Sequence, residues 1–137
     1  MATSTVSELT DEYFLFNQVD IPSESSRTGF NEADLIVFGP QCVFIIEVKH
    51  NTGEISGHSL DPNWRVTKES SGGNEYYSEM RNPIKQVSKL TWLLSKYLKE
   101  NSENIWIQPI VLFTHTSVRF GRIESDVPIL TLSLIHI

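Results

Sequence analysis

This 137-residue sequence predicts an α/β fold, and three stretches predict it. Residues 31–49 read as two apolar strands joined by a tight turn. Residues 82–98 read as one amphipathic helix, and residues 105–114 as a further strong strand. At this length a single domain with a real core is expected over residues 1–137.

Taken in order, residues 1–10 are small and polar, and are expected to be loose or to form one short helical turn. Tyr13, Phe14, Leu15, Phe16 and Val19 mark a first strand. Residues 21–31 hold Pro22, Gly29 and four Ser or Thr, a loop composition. The hairpin follows. Its first strand is the run Leu35-Ile36-Val37-Phe38, headed by Asp34; its second runs from Val43 to Val48, broken only by Glu47. Gly39-Pro40 is the turn between them. Both runs are rich in Val, Ile and Phe, as expected of strands buried on both faces.

Three charges interrupt this apolar hairpin. Side chains alternate along a strand, so Glu47 and Lys49 point to one face. An antiparallel turn near Gly39-Pro40 brings Asp34 to the same end. One reading is a strand end emerging into solvent with an ordinary Glu47–Lys49 surface pair. The other gives the charges a task, because charges set against Phe44-Ile45-Ile46 are costly without a partner or a function. Two carboxylates suit Mg²⁺, which takes one or two of them and keeps several waters. A neighbouring ammonium could polarise the attacking water and offset phosphate charge.

Residues 51–81 are the least regular part, with Gly53, Gly57, Pro62, Gly72 and Gly73. A short strand is expected near Ile55 and another over residues 64–68, followed by a mobile Ser-Ser-Gly-Gly-Asn loop. His50 and His58 flank a glycine-containing turn, a weak metal signal. Trp64 reads as a core anchor. Asn82 is a good helix N-cap and Pro83 suits the first helical position. Ile84, Val87, Leu90, Leu94 and Leu98 recur at three and four residues and form an apolar face. Lys85, Lys89 and Lys96 fall on the other side with Trp92, either a solvated face or a nucleic-acid contact. Gln86 lies at the edge of the apolar arc. Residues 101–104 end the helix, and Pro109 within the next strand points to an edge or a bulge. Residues 118–126 read as polar and turning, and residues 127–135 as a last strand.

The formal net charge of −6 argues against a generic, salt-driven grip on nucleic acid. Even so, eight of the eleven Lys and Arg fall within residues 49–99, which leaves room for a local phosphate-binding face. A single cysteine, Cys42, cannot form an internal disulfide, fits a reducing compartment, and reads as a small core residue. Neither a signal peptide nor a membrane-spanning run is visible, so a cytoplasmic location is expected.

Glu32-Ala33-Asp34, Gly39-Pro40, Ile46-Glu47-Val48-Lys49, Gly53-Glu54-Ile55-Ser56-Gly57, Trp64 and Asn82-Pro83-Ile84-Lys85-Gln86 occur in that order. As a set they resemble the nuclease-related domain (NERD) family of the PD-(D/E)xK nuclease superfamily, over roughly residues 13–114. The resemblance implies a restriction-endonuclease-like α/β fold, a mixed central sheet flanked by helices, and a Mg²⁺-dependent nuclease that hydrolyses phosphodiesters in DNA. It implies that Asp34 and Glu47, with the Val48 carbonyl, are metal ligands, that Lys49 is the catalytic lysine, and that Gln86 is an accessory site residue. Family members usually open with a helix carrying a glutamate, for which Glu8 and Glu12 are the nearby candidates, and continue past the last strand into further helix. The chain is therefore expected to be trimmed at both ends. The competing readings are a catalytically silent nucleic-acid-binding or interaction module on the same fold, and a plain structural domain with a surface hairpin.

Overall fold

A computed structural model describes residues 13–132. The element order is β1 (Phe14–Pro22), β2 (Phe30–Phe38), β3 (Cys42–Lys49), β4 (Gly53–His58), β5 (Asn63–Glu69), β6 (Glu75–Arg81), α1 (Pro83–Glu100), β7 (Trp106–Phe113), β8 (Val118–Glu124) and β9 (Ile129–Thr131). The α/β class holds, but the strands form two sheets rather than one central sheet. Five strands are ordered β1-β2-β3-β7-β9, and four are ordered β6-β5-β4-β8. One helix, α1, is present among the described residues. It is not apolar enough to cross a membrane. Glu8 and Glu12 lie outside the described residues, as does the end of the expected last strand.

Contacts divide the chain into two compact units, the first holding residues up to 47 and 87–110, the second residues 48–86 and those from 111 onward. In the first unit, β1 pairs antiparallel with β2 from Phe14↔Phe38 to Pro22↔Phe30. The loop expected over residues 21–31 is thus shorter, because Ile21 and Pro22 extend β1 and Phe30 and Asn31 start β2. Strands β2 and β3 then close the expected hairpin. Burial along β3 alternates, Val43, Ile45 and Glu47 being buried and their neighbours half-buried, so one face is more enclosed than the other. From α1 this unit draws buried Val87, Leu90, Leu93 and Leu94.

The second unit contains the whole four-stranded sheet. Its central side chain is Trp64, 1% exposed, whose indole Nε1 donates to the His58 carbonyl at 2.9 Å. Gly57 lies against that ring, where a Cβ would collide with the indole. Only a glycine at position 57 leaves room for the Trp64 ring. Asn82 caps α1 as expected, its Oδ1 accepting from the Ile84 amide at 2.9 Å and the Lys85 amide at 3.4 Å. The Asn82 Nδ2 also donates to the carbonyls of His58, Ser59 and Asp61, which locks the helix start onto the preceding loop.

Three expectations are corrected here. Residues 51–81 hold three strands, because residues 75–81 form β6, an edge strand with an almost wholly exposed pattern. The Ser-Ser-Gly-Gly-Asn segment before it is a hydrogen-bonded turn, with Ser70 N donating to Asn74 O at 2.7 Å. Residues 118–126 are not simply turning: Val118–Glu124 is β8, parallel to β4. Pro109, expected to mark an edge strand or a bulge, lies instead in an interior strand. Strand β7 is interior to its sheet, but β9 pairs only with Val111, Leu112 and Phe113, so Pro109 lies outside that paired segment.

Candidate functional site

The β2–β3 register is Leu35↔Ile46, Ile36↔Ile45, Val37↔Phe44 and Phe38↔Val43. Continued by one residue, it sets Asp34 opposite Glu47. Directly opposed residues share a face, so both carboxylates belong to the face of buried Ile36, Ile45 and Val43. Opposed Cβ atoms stand about 4.5–5.5 Å apart, within reach of a shared ligand. Glu47 is 8% exposed, and among the described residues it is the one charged side chain in the buried class. Burying a carboxylate is costly unless its charge is met. The simple surface-pair reading of Glu47 does not survive that burial.

On the other side of Asp34, the β1 register pairs Asn17 with Leu35 and Val19 with Ala33, with no shift across Gln18. Gln18 has φ of 52°, in the left-handed region. A residue other than glycine costs about 1–2 kcal/mol there. No local signal in Asn17-Gln18-Val19 announces this.

In the second unit, Lys49 ends β3 two residues beyond Glu47 and on the same face of that strand. The Lys49 carbonyl accepts from the Thr114 amide at 2.9 Å and from the Thr114 hydroxyl at 3.3 Å. With its proton committed there, the Thr114 hydroxyl accepts from His50 Nδ1 at 2.7 Å. The His50 ring meets the His115 ring edge-on, centroids 4.9 Å apart. His115 Nδ1 in turn accepts from the Ser117 amide at 3.0 Å. The strand end carrying Lys49 is thus tied down by residues 64 and more positions away in the chain. Sequence reasoning missed Thr114 and His115 for that reason.

Val48 alternates to the other face, so any part it plays at the carboxylates is through its main-chain carbonyl. Gln86 lies one turn into α1, half-buried, and its Oε1 is enclosed without a hydrogen-bond donor. A buried acceptor left so invites a donor from a bound group. His58 is engaged structurally: Nδ1 accepts from the Leu60 amide at 3.0 Å and Nε2 lies 3.5 Å from Glu124 Oε2. Among the described residues, no three His, Cys, Asp or Glu side chains gather as a metal cage. Lys85, Lys89 and Lys96 are exposed on α1 as expected, with the Lys96 ammonium 5.5 Å from the centre of the exposed Trp92 ring.

A family model described as the nuclease-related domain matches residues 2–114. The chain belongs to the nuclease-related domain family. No curated protein and no solved structure matches it. The part of the chain matched to the nuclease-related domain includes Asp34, Glu47, Val48, Lys49 and Gln86, and ends at Thr114, the residue whose amide holds the Lys49 carbonyl. Strands β8 and β9 lie beyond it.

Proposed function

We propose that this nuclease-related domain is a metal-dependent nuclease that hydrolyses phosphodiester bonds in DNA on a restriction-endonuclease-like variant of the α/β fold. The observation that carries the reading is the β2–β3 register, which brings Asp34 to the buried Glu47 at a strand end that continues to Lys49.

The donor set fits Mg²⁺. Two carboxylates on one strand-pair face, with one main-chain carbonyl, leave the remaining positions of an octahedral ion to water and phosphate oxygens. Asp34, Glu47 and the Val48 carbonyl would hold the ion, which when bound supplies Lewis-acid charge to the scissile phosphate. The chain's own residues do the rest. The Lys49 ammonium orients the attacking water and meets negative charge building on the phosphoryl oxygens as the new P–O bond forms and the leaving P–O bond breaks. The carbonyl of Lys49, clamped by Thr114, fixes the main chain from which that ammonium projects. Gln86, whose Oε1 is enclosed without a donor, would accept a hydrogen bond from the lysine or the water.

Conversion of supercoiled plasmid to nicked or linear forms tests this. We expect cleavage with Mg²⁺, none with EDTA, and none by Asp34→Asn or Glu47→Gln. Cleavage by Glu47→Gln at the wild-type rate would refute the assignment. DNA binding without cleavage under any Mg²⁺ condition would replace it with the silent binding module.

A further inference from the structure

We propose that the groove at the open end of the four-stranded sheet binds a single-stranded nucleic-acid segment, with Lys68 and Arg119 on phosphates and Tyr76 stacked on a base. This deepens the proposed function and rests on it for the cleavage step, though not for binding. The groove has a volume of about 640 Å³ and lies wholly within the second unit. Thr52, Gly53, Lys68, Tyr76, Ser117 and Arg119 line it. One carboxylate, Glu69, also lines it, so two cations face one anion in a chain whose net charge is −6.

Its floor is open because β4 begins on a glycine. Gly53 has φ of 88°, and a Cβ there would come within 2.6 Å of the Thr67 carbonyl and 2.9 Å of Lys68 Cγ. Any other side chain would be strained and would press on the lysine stem. Lys68 and Tyr76 are directly opposed across β5 and β6, so ammonium and ring stand side by side on one face. Tyr76 is 50% exposed and sits in an edge strand, which leaves its ring available. Gly53 pairs with Val118 and Glu54 with Arg119, so Arg119, beside Glu54, comes from the other face of the sheet and lines the groove at its open end.

This combination selects the ligand. Cations and hydroxyls along a groove suit a phosphate backbone, and an exposed aromatic among them suits a base that has left its stack. Bases held inside a duplex cannot present a face to Tyr76. The groove also adjoins Lys49 along both chains that wall it. Thr52 is three residues from Lys49, at most about 11 Å of extended chain. Ser117 is three residues from Thr114, which holds the Lys49 carbonyl, and the His50 and His115 rings join the two segments. One strand in the groove would therefore run on toward the lysine.

Fluorescence anisotropy of the full chain in EDTA reads binding apart from cleavage, with short oligothymidylate, oligouridylate and a duplex of equal length as probes. We expect both single strands to bind more tightly than the duplex. Tyr76→Ala should weaken single-strand binding roughly 10-fold, the size of one base–aromatic stack, and Tyr76→Phe should restore it. Lys68→Gln and Arg119→Gln should each reduce the salt-dependence slope by about 0.7, the value for one lost phosphate on a single strand. Wild-type affinity in Tyr76→Ala, or duplex binding that equals single-strand binding, would overturn the assignment. Cleavage with Mg²⁺ is scored separately. A chain that binds single strands through Tyr76 but cuts nothing refutes the nuclease reading and keeps the groove.

Discussion

Two antiparallel hairpins of similar length, β2–β3 and β5–β6, differ in what their sequences reveal. The first is apolar, and its buried face holds Ile36, Val43 and Ile45. There a charge is expensive, so Asp34 and Glu47 stand out in the sequence. The second is buried on one side by Trp64 and Val66 of β5, while six of the seven positions in β6 are exposed. Charges cost little on that strand, so their presence in Glu75-Tyr76-Tyr77-Ser78-Glu79 says nothing about purpose. The burial around a residue decides how much its chemistry can tell a reader of the sequence.

Several substitutions would break or sharpen this contrast. The largest loss should come from Trp64→Ala, about 3–5 kcal/mol for a buried aromatic, read by denaturant unfolding of the full chain. A smaller value would mean that Gly57 and the strands close over the space. Next, Ile45→Ala in the first hairpin should cost about 2–5 kcal/mol, whereas Tyr77→Ala in the second should stay within about 0.5 kcal/mol. Equal losses would erase the distinction between the hairpins. The smallest effect runs the other way. Gln18→Gly should stabilise by up to about 1 kcal/mol by relieving the left-handed backbone. A destabilised variant would show that the Gln18 side chain, beside Asp34, contributes more than its backbone costs.

The legible parts of the fold share a physical cause. The β2–β3 hairpin and α1 carry strong periodic burial, with Asn82 and Pro83 marking the helix start. Strand β6 was illegible because an edge strand with no buried face has no alternation to show. Strand β8 was hidden differently. Its pairs run Ile55↔Phe120 and then Gly57↔Ile123, so β8 holds one residue more than β4 over that step. That bulge shifts the phase of Val118, Phe120 and Ile123 and defeats a two-residue period. Of the candidate site, the facing of Asp34 and Glu47 followed from alternation and the Gly39-Pro40 turn. The Lys49–Thr114–His50 tie and the enclosed Gln86 Oε1 depend on contacts across the chain, which no local pattern records.

The central claim is that Lys49 acts on the reaction and not on binding. Single-turnover cleavage with enzyme in excess, alongside DNA affinity measured in Ca²⁺ or EDTA, separates the two. Lys49→Ala should slow cleavage of bound DNA by about 10² or more, as for loss of one positioned electrostatic group. Affinity should change far less, because Asp34 and Glu47 remain. Lys49→Arg should not rescue, since a broad guanidinium fork does not replace a compact ammonium. Weakened DNA affinity with unchanged turnover of bound substrate would make Lys49 a phosphate contact and contradict the account.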